Sequence, residues 1–145
     1  KLSFRFDSIL RLNKSKEDLL QKDMGQINAL YQRQQDQKTF MQDTMEKSRE
    51  ELNEKKRSNA SVDTMMLYDN FFKGTQVQEE RQDKIISEIT TKLEAKREEV
   101  VEAMRKRRTL EILKERNRLK ELKIRERKET AILDEVASNL WIRNS

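Results

Sequence analysis

Residues 20–52 read LQKDMGQINALYQRQQDQKTFMQDTMEKSREEL, and the spacing of their apolar side chains decides the fold. Leu20, Met24, Ile27, Tyr31, Gln34, Lys38, Met41, Met45, Ser48 and Leu52 follow one another in alternating steps of four and three, and seven of the ten are apolar. That alternation keeps them on one narrow strip of an α-helix, a heptad seam with polar interruptions. A strip this narrow buries itself against one partner helix and leaves the other faces wet. Toward the N-terminus, Phe4, Phe6, Ile9, Leu10 and Leu12 form a denser apolar cluster, and the sequence predicts one helix over about 7–56.

The one strong break is a turn at 57–61, where Ser58-Asn59-Ala60-Ser61 gathers turn and capping residues. Ser61 is the natural N-cap of a second helical segment. Beyond it, Val62, Met65, Met66, Leu67 and Tyr68 open a new apolar patch. The reading favours a short helix over about 62–73 ending at Gly74 and a long helix over about 75–141. The alternative carries Gly74 inside one continuous helix at a cost of about 1 kcal/mol.

In the last helix, Ile86, Ile89, Leu93, Val100, Met104 and Leu110 again run close to heptad spacing, and Leu119, Leu122, Leu133, Val136 and Leu140 continue the pattern. The step of six from Leu113 to Leu119 predicts a shift of phase in the stripe. Two long helices and one break give an all-α fold: a single coiled-coil domain over 1–145, built as an antiparallel two-helix hairpin. Leu20 is expected to face the C-terminal part, and Leu52 the region of Ile85 to Leu93. Fifty helical residues make a rod of about 75 Å, which buries little and is marginally stable until a partner binds.

Composition narrows the function. Of the 145 residues 41% are charged and 34% hydrophobic, with a mean hydropathy of −1.06. Two glycines and no proline, cysteine or histidine leave no phosphate-cradling loop, thiol nucleophile or imidazole acid/base pair. Carboxylates abound, but no pair is set apart as acid and base and no cluster has metal-ligand spacing. The chain reads as a non-enzyme with no cofactor and no metal. Lys+Arg 32 against Asp+Glu 27 leaves +5, and interspersed opposite charges favour helix over a self-repelling coil. The longest apolar run falls far short of a bilayer span and the opening lacks a signal-peptide core, so the sequence reads as a soluble chain. It opens on Lys1 rather than a methionine, as a trimmed or longer N-terminus would.

Two features could carry binding. The stretch from Arg105 to Lys128 holds twelve Lys/Arg against Glu111, Glu115, Glu121 and Glu126, a local charge of +8 that includes Arg105, Arg107 and Arg108. Its bland reading is a solvated helix face; its sharper one is a docking surface for something acidic, a protein ring or nucleic acid. No aromatic residue interleaves it, which weighs against nucleic acid. Met65, Met66, Tyr68, Phe71 and Phe72 crowd the turn end, either as a plug closing the hairpin or as an adaptable contact patch.

Phe4-Arg5-Phe6 with Ile9-Leu10, Leu12 and Glu17-Asp18, the turn before Tyr68-x-x-Phe71, and the ending Lys128-Glu129-Thr130-Ala131-Ile132-Leu133-Asp134-Glu135-Val136-Ala137 together resemble the flagellar export protein FliJ family. The order and spacing of these elements cover essentially the whole chain. The resemblance implies a non-enzymatic stalk of a type III protein export apparatus, at the cytoplasmic face of the inner membrane. Its implied partners are a hexameric export ATPase, an export gate membrane protein and export chaperones, with the free chain a monomer. The implied ATPase contacts are Phe4, Phe6, Leu10, Leu133, Asp134 and Glu135, with Arg105, Arg107 and Arg108 nearby. The implied gate contacts are Met41, Met45, Tyr68, Phe71 and Phe72, although Gly74 and Thr75 depart from the family pattern after the aromatic element. A generic structural coiled-coil adaptor and a basic nucleic-acid-binding coiled coil stand beside this reading.

Overall fold

The computed structural model describes the backbone of residues 2–144 and the side chains of 5–144. Two helices, α1 (Leu2–Arg57) and α2 (Val62–Asn144), pack against each other, and no strand occurs among the described residues. Nothing in either sequence interrupts the ladder of backbone hydrogen bonds, since proline is absent.

The turn is built from local chemistry. Asn59 adopts a left-handed conformation with φ 58°, which Asn tolerates better than other non-glycine residues. This lets Ala60 N–H reach back to the Lys55 carbonyl at 2.9 Å and Ser58 N–H to that of Glu54 at 3.1 Å, closing α1 in a Schellman arrangement. Lys55, Lys56 and Arg57 occupy the last turn, where cations oppose the helix dipole. Ser61 then caps α2: its Oγ accepts from Thr64 N–H at 3.3 Å and lies 2.9 Å from Thr64 Oγ1.

The chain divides into two compact units. In the unit Leu20–Glu99, all ten positions of the α1 strip are buried or half-buried. They meet a strip of α2 with the same rhythm, from Met65, Tyr68, Phe72, Thr75, Glu79, Gln82, Ile86, Ile89 and Leu93 to Lys96. Cross-links set an antiparallel register. Tyr68 O–H donates to Glu51 at 3.3 Å, Lys38 pairs with Asp83 at 2.7 Å, and Lys96 lies 4.0 Å from Asp23. Each step back along α1 is matched by a comparable step forward along α2. Leu52 therefore lies beside the start of α2, not beside Ile85 to Leu93: a four-residue turn forces the end of one helix against the beginning of the next.

Several of the polar residues in this seam find partners. Thr75 and Thr90 hydroxyls donate to the Phe71 and Ile86 carbonyls of their own helix, both at 2.8 Å. Gln82 Nε2 donates to the Gln34 backbone carbonyl at 3.2 Å, with the Gln34 and Gln37 side-chain oxygens at 3.4 Å. Among the described residues, Gln82 Oε1 is the buried side-chain atom left without a partner. Polar layers of this kind weaken a coiled coil while fixing its register.

The helix runs through Gly74 without a break, where the sequence favours an end at Lys73. Gly74 is exposed and a Cβ there would meet nothing within 4 Å, so packing makes no demand for glycine. Flanking helical residues and Thr75 in the seam carry the helix across, offsetting a penalty of about 1 kcal/mol.

In the unit Lys1–Leu19 with Val100–Ser145, Leu10, Asn13 and Glu17 of α1 and Val100, Ala103, Arg107, Leu110, Lys114 and Asn117 of α2 form the seam. Met104, expected on the seam from the sequence, is exposed, and Ala103 takes the inward position. The step from Leu113 to Leu119 does not shift the seam, because both side chains lie off it and Lys114 and Asn117 keep the rhythm. Across the described residues the buried apolar side chains are only Leu10, Met45, Ile89 and Val100.

Candidate docking surfaces

In the unit holding the chain ends, ion pairs lock α1 to α2. Arg107 Nε donates to Glu17, which is 6% exposed, and Arg107 Nη1 donates to Glu111 at 3.0 Å. These bonds hold the Arg107 guanidinium above its already high ordinary value, first through Glu17 and then Glu111. Lys114 pairs with Asp7 further along the same seam. Of the three arginines singled out in the sequence, Arg105 and Arg108 are exposed, whereas Arg107 is half-buried and spent inside the fold.

The register also decides which terminal residues meet. Leu10 is buried and Phe6 half-buried, and the first described turns of α1 lie beside α2 near Lys114. The Phe4 side chain lies outside the described residues. Leu133, Asp134 and Glu135 are all exposed, about 28 Å along the helix from Lys114 at 1.5 Å per residue. From Arg118 to Asn144 every described residue of α2 is exposed, including Leu133 at 68% and Trp141 at 73%. At the start of the stretch, Arg118 clasps the preceding turn's Glu115 through Nη2 at 2.7 Å, holding that carboxyl below its ordinary value.

In the other unit, the aromatic cluster divides by helical face. Met65, Tyr68 and Phe72 turn inward, while Val62, Met66, Leu67 and Phe71 stay exposed. The Tyr68 ring lies under Lys55 Nζ at 5.1 Å, and the Phe72 ring 6.0 Å from the Arg49 guanidinium. Phe71 meets Phe72 edge-on at 5.8 Å and, with Ser48, Leu67 and Tyr68, lines a shallow apolar groove. The cluster therefore divides: Met65, Tyr68 and Phe72 pack in the seam, and Val62, Met66, Leu67 and Phe71 leave an exposed apolar surface. Met41 and Met45 belong to the seam with the partner helix, Met41 half-buried and Met45 buried.

These surfaces offer contact chemistry: apolar ridges, aromatic edges and arginines. Among the described residues no group of three or more carboxylates converges as a metal site, and no helix is long and apolar enough to cross a membrane. The sequence reading missed the inward turn of Arg107 and the outward set of Val101, Met104 and Ile112. Their signal was the offset between the two rhythms of α2, visible only once the inward one was identified.

A family model described as Flagellar FliJ protein matches residues 2–145. No curated protein and no solved structure matches the chain.

Proposed function

We propose that this chain, which belongs to the flagellar FliJ protein family and so is a component of the flagellar export apparatus, acts there as a non-catalytic stalk for the export ATPase. Members of this family are structural parts of that machinery rather than known enzymes. The observation that carries the stalk reading is the stretch from Arg118 to Asn144, helical and exposed at every residue with apolar side chains among them. A helix in that state exposes apolar area that a surrounding protein ring would cover.

In this reading Leu133, Asp134 and Glu135 contact the ring, with Arg105 and Arg108 adding weak, salt-sensitive attraction to acidic ring surfaces. Phe6, Leu10 and Arg107 act indirectly, by anchoring α1 to the base of the projecting helix, and Phe4 is kept as a ring contact. The surface around Tyr68, Phe71 and Phe72 contacts the cytoplasmic part of the export gate, and Met41 and Met45 in the seam of the same unit belong to that contact set. The chain then sits peripherally at the cytoplasmic face of the inner membrane, and export chaperones are further partners.

The test is titration of the chain into the matching flagellar export ATPase while ring assembly and ATP hydrolysis are followed. Stimulation saturating near one chain per ring is expected. No effect on a competent ATPase would leave a plain coiled-coil adaptor as the better account.

A further inference from the structure

Beyond Val100, the face that α2 turns toward α1 is more polar than the face it turns away. Ala103, Arg107, Leu110, Lys114 and Asn117 point inward, three of them polar or charged. Outward stand Val101, Met104, Ile112, Leu119 and Leu122, each 40–46% exposed. With Arg108 and Glu115 between them, these outward residues succeed one another in steps of three and four, so they share one strip of the helix. The usual arrangement of a two-helix coil is partly reversed here: ion pairs share the seam with Leu10, Val100 and Leu110, and a largely apolar strip is left outside.

We propose that this outward strip, from Val101 to Leu122, is the seat of a partner protein's amphipathic helix whose flanks are acidic. The inference rests on reading the basic stretch as a docking surface, and it adds the chemistry of what docks. An apolar strip at three-four spacing is what a second helix packs into. Its borders name the partner's charge. Arg105, Arg116 and Lys123 lie along one edge, Arg118 and Arg125 along the other. Of the nearby carboxylates, Glu111 is engaged by Arg107 and Glu115 by Arg118, and the stretch keeps its local excess of cations. Glutamate or aspartate on the flanks of an incoming helix would complement those edges.

A second copy of this chain fits poorly, because pairing like strips would set arginine edges against each other. Nucleic acid fits the charge but has no use for the apolar strip between the edges.

The probe is a synthetic helical peptide of about four heptads with Leu at the core positions and Glu at the flanks, titrated against the full chain. One control keeps the Leu core and carries Lys flanks; the other keeps Glu flanks and carries a Ser core. The Glu-flanked, Leu-core peptide is expected to bind and both controls to fail. Ile112→Ser with Leu119→Ser, and separately Arg105→Glu with Arg116→Glu, should each weaken binding about tenfold or more. Each pair lies on the outer surface of α2, so circular dichroism should match the parent chain. Equal binding by the Ser-core peptide, displacement by duplex DNA at equal charge, or a self-dimer that buries the strip would overturn the proposal. So would failure of the Leu-core, Glu-flanked peptide to bind. ATPase stimulation without peptide binding would sink this inference and leave the stalk reading standing; peptide binding without ATPase stimulation would do the reverse.

Discussion

Arg107 on α2 and Glu17 on α1 form an ion pair across the seam, with Glu111 completing a three-residue cluster on the Arg107 side. The most basic run of the chain, Arg105 to Arg108, thereby gives one of its four cations to the fold. Arg107 supplies a charged tie at a seam position that an apolar residue would normally fill.

Glu17→Ala is expected to lower the thermal midpoint more than Arg118→Ala. The first change leaves a half-buried guanidinium without its main partner, while the second breaks an exposed pair within one helix turn. Glu17→Leu combined with Arg107→Met should recover most of the loss, since a matched apolar pair removes both desolvated charges at once. Melting curves of the three variants decide it; equal effects from Glu17→Ala and Arg118→Ala would mean the cross-seam pair contributes nothing.

Gly74→Ala should stabilise the chain by about 0.5–1 kcal/mol, because the helix continues through a position where a Cβ meets open space. Urea unfolding would measure it. Destabilisation would indicate that the backbone at Gly74 departs from helix in solution.

The turn should respond to single atoms. Ser61→Ala removes the cap on Thr64 N–H and is expected to cost about 1 kcal/mol. Asn59→Val forces a β-branched residue into the left-handed region and should cost about 1–2 kcal/mol. Asn59→Gly should be neutral or stabilising by the same argument, and the order of the three melting midpoints is the check.

Stability should depend on pH through Lys38 at the alkaline end. The Asp83 carboxylate, by hydrogen bond and charge, holds the Lys38 ammonium above its ordinary value of 10.5. The folded chain thus binds that proton more tightly than the unfolded chain does. The contribution is fully present below the ordinary value and is lost as pH rises through the raised one. The midpoint difference between Lys38→Met and the parent should be constant near neutrality and shrink above the ordinary lysine range. Glu115 has the opposite sign: Arg118 holds it below its ordinary 4.5, so its contribution is present above that value and lost as pH falls through the lowered one.

Phe71 and Phe72 should separate plug from surface. Phe72→Ala removes a half-buried ring from the seam and is expected to cost about 1–2 kcal/mol. Phe71→Ala should leave the midpoint almost unchanged and weaken binding to the cytoplasmic part of the export gate. A large loss of stability from Phe71→Ala would place it in the plug as well.

The sequence by itself determined what depends on neighbours along the chain. Helix follows from the absence of proline and the three-four rhythm, the stop from Asn59, and the restart from Ser61. The α1 strip from Leu20 to Leu52 was legible for the same reason, since spacing alone decides which side chains share a face. Only the tertiary structure decided which of two competing strips on α2 turns inward. That choice depends on the register imposed by a four-residue turn and on partners far away in sequence, such as Glu17 for Arg107 and Asp7 for Lys114. The same register left the last turns of α2 beyond the reach of the described side chains of α1, so Leu133, Asp134 and Glu135 stand exposed. Spacing assigns residues to faces; only packing one helix against another assigns a face to its neighbour.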